Sequence, residues 1–486
     1  MQRREFIKSS AVAATALAAG KVMGAEKRPN VLLVIVDQWR QPCWFPENAR
    51  LPGFDRLRRE GLSFTNHYVS AVPCSPSRAC LFTGLHLTQH GVQNNVNLNM
   101  FPSMDPRIPT IAHRFKEAGY HTPYFGKWHL TERRDYRGIG LSAYGFEDWH
   151  GPDHDGTPLD GTDNDPRFAR QAVTWLDLHG RGEKPWFLTC SLINPHDICY
   201  YPRIDLPAAA VPRVAKRLPD NFKDDLAGKP RVQAIYREGY GKMMGSISDA
   251  PEFWLRYLDY YLNFERLADL GVRRLLATLD RLKLADDTIV VFTSDHGEMC
   301  GSHKLQAKGP FVYQENLNVP LIFRWPGHVP AGASSDALGH NPDLFPTLME
   351  VCGIKAPVDH LPGKSLAPLL QNPAGPAVRD HILTGFGMTG GGRFGAVARR
   401  LHIDTAGVPI QLRGIYDGRY KYARYFDQGA EPEFELYDRH EDPLELHNLA
   451  SDPAAAAMRK EMADRLAEAE AREMAPLPPD LLYRKA

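Results

Sequence analysis

Four apolar runs along this chain each stop on a cluster of ionisable or amide side chains. Residues 30–36 lead into Asp37 and Gln38, and residues 122–125 into Gly126, Lys127, Trp128 and His129. Residues 186–192 lead into Asn194, Pro195 and His196, and residues 288–293 into Ser294, Asp295, His296 and Gly297. Short continuous apolar runs of this kind suit strands covered on both faces, the mark of a parallel sheet. In an open α/β sheet ligands bind beyond the carboxyl ends of the strands, where loops converge above a dry core. The pattern therefore predicts an α/β fold: a mostly parallel, doubly wound sheet, helices on both faces, and one polar edge.

Helical signals fall between these runs. Thr110 caps a helix over 109–118 that Gly119 ends. Asp165 as cap and Pro166 at the first helical position open another over 165–179, with Phe168, Ala172, Trp175 and Leu176 on one apolar face. A longer stretch over 252–284 contains Gly271, where a break is expected. Residues 202–245 are rich in Pro and charge with weak periodicity and read as an insertion over the polar edge. Beyond about Leu370 the character changes. Residues 413–425 are aromatic around Asp417-Gly418, a two-residue hairpin signal, and residues 433–438 form a further strand. Asp452-Pro453 then opens a helix with Met458, Met462 and Leu466 at four-residue spacing. The expected organisation is a leader over 1–25, an α/β domain over 26–375, and a smaller α+β subdomain over 376–486 with an antiparallel sheet and one helix.

Composition narrows the class. The 58 Lys and Arg are balanced by 58 Asp and Glu, so no basic excess is available to hold nucleic acid. At 43% hydrophobic residues the chain supports a large core, and its seven Cys are too few for a disulfide scaffold. No run reaches the roughly 18 apolar residues of a membrane span. Arg3-Arg4 with Phe6, Ile7 and Lys8, then an Ala-rich stretch over 11–20, has the layout of a twin-arginine export signal cut between Ala18 and Ala25. It implies the twin-arginine translocase as a partner and a periplasmic or secreted protein.

The polar edge carries chemistry. Cys74 should open a helix running through Leu81, where unpaired N–H groups and the helix dipole gather anions. Arg78 lies one turn on, on the same face. Lys127 and His129 flank Trp128 and share one side of an extended chain, while Trp128 faces packing. Asp37, Gln38, Asp295 and His296 combine two carboxylates, an amide oxygen and an imidazole, a donor set for a divalent cation. His196 titrates in the range that suits a general acid.

Residues 74–84, Cys-Ser-Pro-Ser-Arg-Ala-Cys-Leu-Phe-Thr-Gly, resemble the sulfatase signature. Asp37-Gln38, Gly126-Lys127-Trp128-His129, Asn194-Pro195-His196 and residues 294–298 resemble further sulfatase blocks in sulfatase order. Residues 343–347, 435–438 and Asp442-Pro443 extend the match to about residues 30–455. The resemblance is to type I sulfatases of the alkaline-phosphatase superfamily, with residues 26–375 as the catalytic domain.

It implies that Cys74 is oxidised to formylglycine by a formylglycine-generating enzyme. One hydroxyl of its hydrate attacks the sulfur of a sulfate ester, and the other then expels sulfate. It further implies that Arg78 stabilises the hydroxyl and a sulfate oxygen, that Lys127 binds sulfate, and that His129 is the base for elimination. His196 would protonate the leaving oxygen, Lys308 would bridge sulfate and leaving group, and Asn95 would bind substrate. Asp37, Gln38, Asp295, His296 and the group derived from Cys74 would hold one Ca2+ per subunit, with Mg2+ or Mn2+ as the other options. The family more often shows adjacent Asp at the first metal block and Asp-Asn at the second. Gln38 and His296 resemble instead the choline-sulfatase and phosphonate monoester hydrolase branches. The implied substrate is a sulfated carbohydrate or other small organic sulfate. A phosphonate or phosphate mono- or diester hydrolase is the alternative, and a non-catalytic sulfated-glycan binder is a remote third.

Smaller expectations complete the set. Lys304 competes with Lys308, and Asn94 with Asn95. Residues 149–155, Tyr200, Tyr201 and Arg393 are candidates for the rim of the site, Cys80 and Cys300 for packing, and Asp343 and Asp442 for caps or turns.

Overall fold

A computed structural model describes residues 28–41, 49–96, 102–132, 140–151, 153, 157–204, 206–245, 247–387 and 398–484. The leader over 1–25, Arg393, and Pro152, His154 and Asp155 of the polar stretch lie outside the described residues.

Thirteen strands are described: β1 (Asn30–Asp37), β2 (Leu62–Phe64), β3 (His67–Tyr68), β4 (Tyr124–Gly126), β5 (Phe187–Pro195), β6 (Thr288–Ser294), β7 (Leu321–Arg324), β8 (Ala333–Ser335), β9 (Gly339–His340), β10 (Ile382–Phe386), β11 (Gln411–Tyr416), β12 (Tyr420–Phe426) and β13 (Glu433–Asp438). The main sheet has seven strands in the order β4-β5-β1-β6-β7-β2-β8. β4, β5, β1 and β6 run parallel, so their carboxyl ends share one edge, and β7 pairs antiparallel to β6 and to β2. The mostly parallel sheet expected from the sequence is the one observed.

Both faces of β1 are dry. Val31, Leu33 and Ile35 join one apolar cluster, and Leu32, Val34 and Val36 join the other, the alternation a pleated strand imposes. The helices named here are α1 (Pro52–Glu60), α2 (Cys74–Thr83), α3 (Leu87–His90), α4 (Ile111–Glu117), α5 (Asp160–His179), α6 (Arg231–Met244) and α7 (Pro251–Leu282). α2 and α4 cover the first face, and α1, α5 and α7 the second. Among the described residues no helix is long and apolar enough to cross a membrane.

Two helices differ from expectation for reasons visible in their contacts. α5 starts at Asp160 instead of Asp165, because the distant Asp197 carboxylate accepts from Gly161 N and Thr162 N at 3.0 and 2.8 Å and caps it there. Asp165, inside the helix, instead accepts from Ile193 N and Asn194 N at 2.7 and 2.9 Å. α7 is unbroken through Gly271, which serves close packing. A Cβ there would meet Leu192 Cδ1 at 3.1 Å. The segment read as an insertion does cross the chain between β5 and β6, and it contains α6.

The second sheet, β10-β11-β12-β13, is antiparallel throughout. Its hairpin closes through Gly418 and Arg419, one residue later than expected, with Asp417 N donating to Tyr420 O at 3.2 Å. Ile382, Phe386 and Leu412 face Tyr68, Val69 and Met299 of the main body. Leu383, Ile415 and Leu436 face Met462 and Leu466 of the C-terminal helix Ala456–Glu473.

Candidate active site

Cys74 is the first residue of α2, and every residue of that helix is buried. Asn95 Oδ1 accepts from Ser75 N at 3.0 Å and so caps the helix from outside. Asn94 instead donates from Nδ2 to Gly387 O at 3.3 Å. Asn95 thus reaches the site through the nucleophile's own helix.

The strand ends deliver the other groups. At the end of β1 the register shifts between Val36 and Asp37, and Gln38 adopts a left-handed φ of 73°. The bulge re-aims Asp37 toward α2. Asp37 Oδ2 accepts from Lys127 Nζ at 2.7 Å and Arg78 Nη2 at 3.1 Å, and Arg78 Nε donates to Asp295 Oδ2 at 2.8 Å. Arg78 Nη1 completes its bonding on Lys127 O and Ser191 Oγ at 2.9 and 2.8 Å. Burial alone would push the Asp37 carboxyl up, but the charges of Lys127, His196, Arg78 and Lys308 hold it well below the usual carboxylate range.

β4 presents Lys127 and His129 by a tight turn. A Cβ on Gly126 would lie 1.9 Å from Ser191 O, and its φ is 112°, so only glycine fits between the strands here. Asp153 then accepts from Trp128 N at 2.9 Å and His129 N at 2.5 Å, holding His129 at a φ of 63°. Trp128 packs among Phe82, Tyr124 and Phe146, as expected. Among the described residues neither ring nitrogen of His129 has a partner, nor does His196 Nδ1, although both residues are buried. Burial first, then nearby Lys127 and Arg78, lowers the His129 pKa well below the ordinary value. Burial, Lys308 and Lys127 do the same for His196. Both imidazoles are neutral at pH 7.

Asp37, Cys74, Asp295 and His296 each bring a donor atom within 4.8 Å of the others, all fully buried. His296 Nε2 lies 3.1 Å from Cys74 Sγ, while Nδ1 is engaged by Gly297 O at 2.9 Å, which turns Nε2 inward. Burial lowers the His296 pKa, but Asp295 and Cys74 outweigh it and raise the pKa above the ordinary value. A proton here answers the Asp295 carboxylate and the Cys74 sulfur, a demand that a divalent cation would also meet. Two hard oxygens, an imidazole and a site for one further oxygen at Cys74 fit such an ion. Gln38 participates differently. Its main-chain N donates to Asp295 Oδ1 at 3.1 Å, whereas its Oε1 accepts from Lys308 Nζ and from Cys199 Sγ (3.1 Å), and its Nε2 donates to Glu298.

Lys308 makes no ion pair among the described residues. Its ammonium rests on neutral Gln38 Oε1 and lies 3.4 Å from Cys199 Sγ. Lys304 pairs outside the site with Asp249 at 3.0 Å. Tyr200 stands 6.4 Å, ring to ring, from His196, and Tyr201 packs inward on Phe253, Tyr257 and Tyr260. Cys80 and Cys300 are buried free thiols, Asp343 pairs with Arg379, and Asp442 accepts from His447 N at 2.7 Å.

Four supporting residues were given no supporting role in the sequence reading. Glu298 accepts from Tyr257 OH, Cys300 N and Ala307 N as well as Gln38, and so shapes the turn that carries Lys308. Asp153, Ser191 and Cys199 are the others. Only Glu298 and Asp153 carried any sequence signal, since each lies within or beside a polar stretch at a strand end.

Known proteins place the chain in a family. The sulfatase family model matches residues 29–354, and a model for the C-terminal part of N-sulphoglucosamine sulphohydrolase matches residues 405–472. A Delta 4,5-hexuronate-2-O-sulfatase of Bacteroides thetaiotaomicron is 28% identical over 449 residues, covering 89% of this chain and 87% of that protein. A solved structure from the same organism superposes with a TM-score of 0.75 at 25% identity, covering 92% of this chain and 93% of that one. The phosphonate monoester hydrolase of Agrobacterium radiobacter gives a TM-score of 0.67 at 27% identity, covering 92% and 96%.

Proposed function

Since the chain belongs to the sulfatase family and is a sulfuric ester hydrolase, we propose that it cleaves sulfate monoesters of a sulfated carbohydrate at Cys74. The observation that carries this is the charge around Sγ. Lys127 Nζ lies 3.9 Å from Sγ, and Arg78, Lys127 and Lys308 surround a cluster holding only two carboxylates, Asp37 and Asp295. An excess of buried positive charge recognises an anion.

As formylglycine hydrate, Cys74 would supply an oxygen nucleophile with a second hydroxyl able to release sulfate. A divalent cation, calcium by family expectation, would be held by Asp37, Asp295, His296 and the Cys74 side chain, and would neutralise sulfuryl oxygens. Gln38, expected as a further donor to that ion, has its side-chain carbonyl accepting from Lys308 and Cys199. Arg78 holds both carboxylates in place, and Lys127 leans from Asp37 toward the sulfuryl group. The neutral His129, whose ring has no partner among the described residues, would accept the proton of the second hydroxyl as sulfate is expelled. His196 is neutral in the free site, and the charge of bound sulfate offsets that of Lys308 and favours the protonated acid needed by the leaving oxygen. Asn95 supports the nucleophile by capping its helix.

The carbohydrate assignment follows the hexuronate sulfatase relative. Export by the twin-arginine route, after maturation by a formylglycine-generating enzyme, rests on the leader and on Cys74-x-Pro-Ser-Arg.

The test is the mass of the tryptic peptide Glu60–Arg78 from protein produced with that enzyme. Aldehyde in place of thiol is the expected result, and an intact thiol in active protein would overturn the mechanism. The likeness to a phosphonate monoester hydrolase favours one second reading, a phosphonate or phosphate ester hydrolase. Turnover of paired aryl sulfates, phosphates and phosphonates separates the two.

A further inference from the structure

We propose that Tyr236 and Tyr240 of α6 are positioning residues that set the spacing between the turn bearing His196 and the loop bearing Lys308. The two tyrosines lie one helical turn apart, with rings stacked at 5.8 Å and 26°. Their hydroxyls reach two different strand-end loops. Tyr236 OH donates to the main-chain carbonyl of Lys308, and Tyr240 OH donates to that of Cys199 at 2.6 Å. Cys199 belongs to the short 3-10 turn that His196 begins. The two loops come together at Cys199 Sγ and Lys308 Nζ, 3.4 Å apart.

The fit at Lys308 is tight. A Cβ on Gly309 would lie 2.9 Å from Tyr236 Cε2 and equally close to Phe311, so the glycine after Lys308 lets the Tyr236 ring lie against the main chain. Tyr236 also meets Phe311 edge to face at 4.9 Å.

α6 is itself anchored away from the site. Arg231 N donates to Glu433 Oε2 at 2.7 Å, Gln233 Nε2 donates to Glu435 Oε1 at 3.0 Å, and Tyr313 OH donates to Gln233 Oε1 at 2.6 Å. Glu433 and Glu435 belong to β13 of the second sheet. One path from that sheet to the leaving-group side of the site therefore runs through α6 and two hydroxyls, beside the direct bond that Tyr425 OH of β12 donates to Pro310 O at 3.1 Å. Fixing two loops against one rigid helix face holds reacting groups within the small tolerance catalysis allows.

The inference rests on the proposed reading of His196 and Lys308 as the residues that manage the leaving oxygen. It is tested on the matured full-length protein with Tyr236→Phe, Tyr240→Phe and the double variant, which keep both rings. Aryl sulfates of graded leaving-group pKa are the probes. With the poorest leaving groups kcat should fall about 10–100-fold, with the best leaving groups less than about threefold, at unchanged KM and melting temperature. The dependence of log kcat on leaving-group pKa thereby steepens. A loss equal across the series, or no loss, would overturn the inference while wild-type turnover keeps the functional reading intact. Wild-type protein with formylglycine at Cys74 that cleaves no aryl or sugar sulfate would overturn that reading and this inference with it.

Discussion

Arg78 Nε donates to Asp295 Oδ2 at 2.8 Å with neither side chain exposed to water. The same guanidinium holds Asp37, so one residue of α2 ties the carboxyl ends of β1 and β6 together. Arg78→Lys keeps the charge but cannot span both carboxylates. Leaving a buried carboxylate unpaired costs about 3–5 kcal/mol. Urea unfolding should register that loss, and hydrolysis should fall at least about a hundredfold. An unshifted midpoint would show that the ion pairs are not what hold these two strand ends.

The cation site proposed at Asp37, Cys74, Asp295 and His296 predicts a stability readout independent of turnover. A ligand bound only by the folded state at a hundred times its Kd stabilises by about 2.7 kcal/mol. Chelator-treated protein should therefore melt higher on adding Ca2+, and Asp295→Asn should lose most of that rise. Identical shifts in the two proteins would place the ion elsewhere.

Asp153 holds two successive amides at the end of β4. Asp153→Asn keeps the shape but exchanges a charged acceptor for a neutral amide. Turnover should drop about tenfold or more, in kcat rather than KM, with a melting point within a few degrees of wild type. A pure KM effect would assign Asp153 to the substrate instead of to His129.

Acid should destabilise the fold well before carboxylates titrate. Burial pushes His67, His86 and His90 down to about 3, against about 6.5 in an unfolded chain. Between these values the unfolded chain takes up protons that the folded protein refuses. The stability is therefore complete above about pH 6.5 and drains away as pH falls toward 3. At its steepest the three together contribute about 4 kcal/mol per pH unit. Calorimetry from pH 7 down to 5 should show a steadily falling melting temperature, and a flat profile would mean that these histidines accept protons in the native state.

Residues carried by strand-end motifs were legible because chain position alone fixes where they go. Asp37, Lys127, His196 and Asp295 follow apolar runs, and parallel strands bring such positions to one edge. Glu298 was not assigned a role because its partner Gln38 lies 260 residues away, a distance at which periodicity carries no information. The start of α5 was misplaced for the same reason, since its cap comes from Asp197 across 36 residues instead of from the local Asp165. Gly271 misled in the opposite direction. Low helix propensity argued for a break, and close packing on Leu192 outweighed it.

The depth of Cys74, with none of its surface exposed, sets a clock on the making of this protein. A second enzyme cannot close its own active site around a side chain buried at the first turn of α2 among three cations. Any catalyst that converts Cys74 therefore works on the growing or still open polypeptide, and its opportunity closes when α2 seats against the main sheet. Fast folding would then be a hazard. A variant that folds sooner would leave a larger share of molecules permanently unconverted, sound in shape and unable to act.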